Sequence, residues 1–218
     1  KHIAIMDKYD AKKKIGLMVD EWGTWWDVEP GTNPGHLFQQ NTLRDAFVGA
    51  LTLNVFNKYG DRIQMANIAQ VVNVLQSMIL TKGKQMVLTP TYYVFDMYKV
   101  HQDATYLPLT LSCDTMKLEK NRAVPMLSAS ASKDAKGAIH LTIANPDIDN
   151  AEEVDINIPS LKAAKVTGRI LTSKEVDDYN EFGAPEKVQP KEFKDAKVTK
   201  QGLKVKMPAK SIVVLEII

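Results

Sequence analysis

Two adjacent carboxylates and every tryptophan of the chain meet in one stretch, Asp20-Glu21-Trp22-Gly23-Thr24-Trp25-Trp26. The residues just before it, Ile15-Gly16-Leu17-Met18-Val19, carry no polar face, which predicts a strand buried on both sides as in a parallel sheet. Parallel α/β architectures place their chemistry where strands end, at their carboxyl ends. A glutamate there, walled by indole rings, can hold an acid against the apolar face of a sugar. The same residues also fit a plainer role, a strand-end carboxylate capping the next turn with core tryptophans behind it.

Other chemistry finds little support in the residues. His2, His36, His101 and His140 share no metal-ligand spacing with one another or with Asp and Glu, so neither a metal nor a cofactor is expected. Gly31 and Gly35 read as turn glycines rather than a phosphate loop. A formal net charge of +2 gives no argument for nucleic acid or a membrane surface as partner. No run is apolar enough to span a bilayer. Single Cys113 excludes an internal disulfide and, in its apolar stretch, is expected as a buried inert thiol.

The elements that must position the carboxylates follow from periodicity. Residues 2–9 read as the end of a helix and 10–14 as a charged turn into the strand. The Pro- and Gly-rich stretch 29–35 is loop. Leu43, Ala46, Phe47, Ala50, Leu51 and Val55, widened by Val48, Leu53 and Phe56, predict a helix over 41–59 that stops at Gly60. A short strand is expected at 62–66. Ile68, Val71, Val72, Leu75, Met78 and Ile79 predict a second helix over 68–79, broken by Gly83. Thr89-Pro90 opens a third helix running to about His101. The first half is therefore two βα units.

From Thr105 the texture changes to short apolar or alternating runs at 106–111, 126–131, 138–144, 154–158, 165–171, 203–207 and 212–217, separated by Pro, Gly, Asn and Lys turns. Such spacing indicates an antiparallel sandwich. The expected organisation is an α/β unit over 1–104 followed by an all-β sandwich over 105–218, with the scattered lysines of the second half forming a solvated surface.

The tryptophan-rich stretch resembles the nucleophile segment of the family 51 glycoside hydrolases, the α-L-arabinofuranosidases. The resemblance continues through Glu29-Pro30-Gly31-Thr32-Asn33-Pro34-Gly35 and Gln39-Gln40-Asn41-Thr42-Leu43-Arg44-Asp45-Ala46. It persists in Met65-Ala66-Asn67-Ile68-Ala69-Gln70-Val71-Val72-Asn73-Val74 and in Leu88-Thr89-Pro90-Thr91-Tyr92-Tyr93, dense as far as Tyr93 and looser beyond. A complete (β/α)₈ barrel takes about 250 residues, so the resemblance implies that the two units are the seventh and eighth. The chain is then the C-terminal portion of a longer enzyme, and Lys1-His2-Ile3 reads as a cut within a helix.

The resemblance implies a residue-by-residue assignment. Glu21 matches the family's nucleophile, Trp25 a tryptophan lining the arabinose subsite, and Gln70 a glutamine that hydrogen-bonds the sugar. Asn67 is a weaker candidate at the same strand end. Retaining hydrolysis needs a second carboxyl group roughly 5–5.5 Å from the first. Asp20, adjacent on a strand, faces the other way and is read as a structural acceptor. The family's acid/base is a Glu preceded by Asn on the fourth strand. The only such pair here, Asn180-Glu181, lies in the sandwich half and is set aside. The acid/base is therefore expected upstream, and the isolated chain is expected to be inactive. Trp22 and Trp26 are read as packing between strand and helix, and His36 as an exposed loop residue. The implied partners are arabinose-containing glycans, the N-terminal remainder of the parent and a second copy of the chain, since two βα units leave unpaired strand edges. The alternative is a non-catalytic carbohydrate-associated β-sandwich module.

Overall fold

A computed structural model describes residues 1–119, 122–159, 161 and 165–218. The run before the tryptophans does form a strand, β1 (Leu17–Trp22), preceded by a short helix α1 (His2–Tyr9). After the loop and α2 (Leu43–Lys58), the chain returns as β2 (Ile63–Ile68), which pairs in parallel with β1. This pair is a sheet of its own. The expectation of a strand buried on both sides is not met. Leu17 and Val19 are half-buried, whereas Met18 is 48% exposed and Met65 of β2 is 45% exposed. The helices cover one face of the pair, and among the described residues nothing covers the other.

Arg62 ties α1 to this pair. Its fully buried guanidinium donates to the carboxylates of Asp7 and Asp10 and to the carbonyls of Asp10 and Ile15. α2 starts where the sequence predicts, because the Asp45 carboxylate accepts from Thr42 N at 2.8 Å and so satisfies an otherwise unpaired backbone donor. Leu43, Ala46, Phe47 and Ala50 form its buried face. Val55, expected on that face, is instead exposed, and buried Asn54 bonds the hydroxyls of Ser128 and Thr142.

The helix predicted over 68–79 does not exist. After β2 the chain runs through an irregular loop into a hairpin, β3 (Ile79–Lys82) and β4 (Gln85–Leu88). Four of the six apolar residues behind that prediction, Ile68, Val71, Val72 and Ile79, are β-branched, and such residues favour extended backbone. Their spacing was helical, but the loop is pinned otherwise. Asn73 N donates to Ile79 O, Ile79 N to Val71 O, and Leu75 N to Leu37 O. Asn73 also brackets Thr81 through both atoms of its amide. Gly83 is the first residue of the hairpin turn, at φ +59°, not a helix stop. α3 (Pro90–Tyr98) then forms as expected, with the Thr89 hydroxyl accepting from Tyr92 N and a further 3₁₀ turn reaching His101.

The second half is mostly strand. β5 (Thr105–Tyr106), β8 (Ser128–Lys133), β9 (Ile139–Asn145), β11 (Val166–Thr172), β12 (Lys191–Glu192) and β15 (Ser211–Ile217) make one antiparallel sheet in the order β12-β11-β15-β9-β8-β5. β10 (Glu152–Asn157), β13 (Ala196–Val198) and β14 (Gly202–Met207) make a second, ordered β10-β14-β13. A hairpin of β6 (Thr115–Leu118) and β7 (Arg122–Pro125) stands apart. The run expected at 106–111 is strand only at its start, and Cys113 is half-buried rather than buried.

β15 explains the layering. Val213 and Leu215 share a core with Leu203, Val205 and Met207 of β14, while Ile212 and Val214 pack with Ala46, Phe47, Val94 and Met97 of α2 and α3. Successive strand residues face opposite sides, so a strand covered on both faces must be apolar throughout, as Ile212–Leu215 is. The order of layers is helices, large sheet, small sheet.

His101 lies between helices and sheet. Its ring nitrogens are 2.7 Å from Ser132 Oγ and 3.1 Å from Thr142 Oγ1. Burial, with a smaller effect of His140, pushes its pKa from 6.5 down to about 4. Between these values the unfolded chain binds the extra proton, so stability is lost as pH falls from 6.5 towards 4 and levels off below. The loss should reach about 3 kcal/mol. The low-titrating Asp10, Asp96, Asp134, Asp147 and Asp178 weaken the fold chiefly below their unfolded 3.8, so above about pH 4.5 the histidine dominates. Urea melts of wild type and His101→Asn between pH 7 and 4.5 check this; equal slopes would refute it.

Candidate active site

The carboxyl ends of β1 and β2 are held together where Ala69 N donates to Trp22 O at 2.9 Å. Around that junction lies an open depression of about 310 Å³, lined by Glu21, Trp22, Gly23, Thr24, Trp25, Ala69 and Leu75. Glu21 is exposed and is the only carboxylate in the lining. Trp25 stands beside it with 67% of its surface in solvent. Gln70 is exposed and follows Ala69 directly, but is outside the lining. The expected carboxylate and indole thus share one depression, while the expected amide adjoins it only in sequence. Asn67 is exposed on β2 but is outside the lining. Asp20 is exposed too, and also outside it.

The other two tryptophans hold the site in place. Trp22 stacks near Phe95 of α3 and meets Phe56 of α2 edge-on, with ring centroids 6.0 and 5.3 Å away. Trp26 donates from Nε1 to Asp45 Oδ1 at 2.8 Å, and the Arg44 guanidinium lies over its ring at 4.3 Å. Asp45 therefore caps α2 and anchors the tryptophan stretch at once. His36 sits exposed in the short 3₁₀ turn Pro34–His36, beside Asn33.

Asn180 and Glu181 lie elsewhere, as expected. The buried Asn180 amide donates to the carbonyls of Leu88 and Val188 and accepts from Val188 N, while Leu43 N donates to Asp178 O. The Asn180 side chain ties Leu88, just before α3, to Val188, and Glu181 is exposed.

Sequence reasoning missed Gln76. Its buried Oε1 accepts from Thr24 N at 2.9 Å and from Thr24 Oγ1 at 3.1 Å. The turn it touches needs glycine, since Gly23 has φ +142°. A larger concavity, about 1060 Å³, lies between β2, the ends of α2 and α3 and the β5–β8 edge. It includes none of Glu21, Trp25 and Gln70, so volume is a poor guide to the chemistry here.

A family model of the α-L-arabinofuranosidase C-terminal domain matches residues 20–211. The chain is 63% identical over 217 residues to an intracellular exo-α-L-arabinofuranosidase of Bacteroides ovatus, with all of this chain but 42% of that protein aligned. It is 23% identical over 190 residues to an intracellular exo-α-(1→5)-L-arabinofuranosidase of Streptomyces lividans, covering 83% of this chain and 29% of that one. The crystal structure of the GH51 arabinofuranosidase from Xanthomonas axonopodis pv. citri superposes with a TM-score of 0.96 at 47% identity, over the whole of this chain and 44% of that one. The arabinose complex of the Thermotoga maritima enzyme, at 22% identity and a TM-score of 0.81, shares the fold over 97% of this chain and 45% of its own. The chain spans less than half the length of these relatives.

Proposed function

The chain belongs to the α-L-arabinofuranosidase C-terminal domain family, and from that premise we propose that it forms the C-terminal part of a retaining α-L-arabinofuranosidase with Glu21 as nucleophile. The observation that carries this is the shared depression of Glu21 and Trp25 at the carboxyl ends of two parallel strands, with exposed Gln70 next in sequence to its Ala69. In this proposal residues 1–104 contribute the seventh and eighth βα units of a (β/α)₈ barrel, and residues 105–218 are the sandwich. The open faces and edges of β1 and β2 are where the upstream units pair and pack. The hairpin β3–β4 is an insertion between the eighth strand and its helix.

Glu21, ionised, attacks the anomeric carbon of a terminal arabinofuranosyl residue and displaces the leaving oxygen, forming a glycosyl-enzyme ester. A second carboxyl group, supplied by the upstream part, protonates that oxygen and then draws the proton from the incoming water. Trp25 covers the apolar side of the ring and keeps water off it. Gln70 hydrogen-bonds a sugar hydroxyl. The substrates are arabinose-containing poly- and oligosaccharides. A non-catalytic β-sandwich module would leave the Glu21 carboxylate, outside the sandwich at the end of β1, without a purpose.

The test is the full-length protein acting on an aryl α-L-arabinofuranoside, followed by proton NMR. The first arabinose to appear should be the α anomer. Release of the β anomer first would remove Glu21 as nucleophile, and no release at all would sink the assignment.

A further inference from the structure

Gln76 uses every hydrogen-bonding site of its amide inside the protein. Besides the two bonds its oxygen accepts from Thr24, its nitrogen donates to Asp45 O at 2.7 Å and lies 3.4 Å from Thr91 Oγ1. Two lone pairs and two hydrogens is the full capacity of a carboxamide. The partners come from three places: the turn after β1, the first turn of α2 and the first turn of α3. The backbone around Gln76 is itself pinned, since Leu75 N donates to Leu37 O, and Ser77 O accepts from Asn41 Nδ2 at 2.6 Å and from the Thr89 hydroxyl. The side chain is fully buried and cannot drift.

Thr24 follows Glu21 by three residues and precedes Trp25 directly. The turn lies flush against the amide, because a Cβ on Gly23 would sit 3.2 Å from Gln76 Oε1. We propose that Gln76 is a positioning residue for hydrolysis, fixing the Gly23-Thr24 turn against the two helix starts and so setting Glu21 and Trp25 relative to the bound sugar. The proposal rests on the assignment of Glu21 and Trp25 made above. The amide cannot be flipped, since only an acceptor can face Thr24 N and only a donor can face Asp45 O. A displacement of roughly 1 Å at a reacting group can cost about 10²-fold in rate, and among the described residues no other side chain bonds Thr24.

The experiment compares full-length wild type with Gln76→Met, which keeps the volume and removes all four bonds, and with Gln76→Glu, which keeps the shape should the first variant fail to fold. Hydrolysis of an aryl arabinofuranoside is measured well below each variant's melting temperature and normalised to folded protein. In Gln76→Met, kcat/KM should fall about 10²-fold, mostly in kcat. In Gln76→Glu the acid can donate to Asp45 O only while protonated, so its activity relative to wild type should fall as pH rises from 5 to 9. Hydrogen exchange of the peptide spanning Gly23 to Trp26 should quicken in Gln76→Met, where Thr24 N loses its acceptor, and in Gln76→Glu only as the acid ionises and is repelled by Asp45 O. A residue serving the fold alone would lower the melting temperature and leave kcat per folded molecule within about threefold of wild type; that result, or unchanged exchange, overturns the proposal. If wild type itself does not hydrolyse the glycoside, the functional assignment has failed, and positioning for hydrolysis falls with it. The exchange measurement then still reports whether Gln76 holds the turn.

Discussion

Replacing Glu21 by glutamine in the full-length protein should lower kcat by about 10⁴-fold or more and leave the urea midpoint almost where it was. The two halves of this expectation have separate causes. Glu21 is exposed at the end of β1, in a depression that holds no other charge of its own. An isosteric amide there disturbs no packing, and surface substitutions of that kind stay within about 0.5 kcal/mol. The amide nonetheless cannot attack an anomeric carbon, so the covalent route closes. In a Glu21→Ala variant, azide offers a small external nucleophile that fits the space of the missing carboxylate. It should restore turnover of an activated aryl arabinofuranoside and deliver a glycosyl azide of inverted configuration. The companion Asp20→Asn, just as exposed but outside the lining, should lose less than about tenfold. Wild-type rates in Glu21→Gln would remove the residue from the mechanism, and an equal collapse in Asp20→Asn would shift the role to its neighbour.

The parts of this structure legible in the sequence are those whose causes are local. α2 announces itself through its apolar spacing, and β15 through an unbroken apolar run that only a doubly covered strand can carry. Glu21 and Trp25 could be placed together because four residues at a strand end stay together in any fold. The second helix failed partly for a local reason, since its spacing fitted a helix while its β-branched residues and the bonds with Ile79 favoured extended chain, and partly for a distant one, the bond from Leu75 to Leu37. Gln76 was hidden for a distant reason alone. Its partners Thr24 and Asp45 lie 52 and 31 residues away, and no pattern around residue 76 records them. The exposed side of β1 was equally invisible, because an apolar run states that a strand should be covered and not which part of the protein covers it.

The 218-residue chain by itself should hydrolyse an aryl arabinofuranoside at least about 10⁴-fold more slowly than the full-length protein. The depression is lined by a single carboxylate, and retaining hydrolysis needs a second one about 5–5.5 Å from it. Asn180 is committed to its bonds with Leu88 and Val188, and Glu181 is outside the lining of the depression. A positioned general acid alone is worth about 10²–10⁴-fold, and the missing walls of the subsite add to the deficit. The same incompleteness has a physical signature besides inactivity. Among the described residues β1 and β2 pair only with each other, so each has an unpaired outer edge, and Met18 and Met65 are open to water next to them. Unpaired edges beside apolar surface seek other strands, so the isolated chain should self-associate, and supplying the upstream part in trans should suppress association and raise activity together. Kinetics separate the remaining routes to turnover. A rate that climbs with the square of chain concentration would mean that a second copy lends its carboxylate across the open face. A rate strictly proportional to concentration and comparable to the full-length protein would mean that both acids lie within these residues, and the upstream origin of the proton donor would have to be given up.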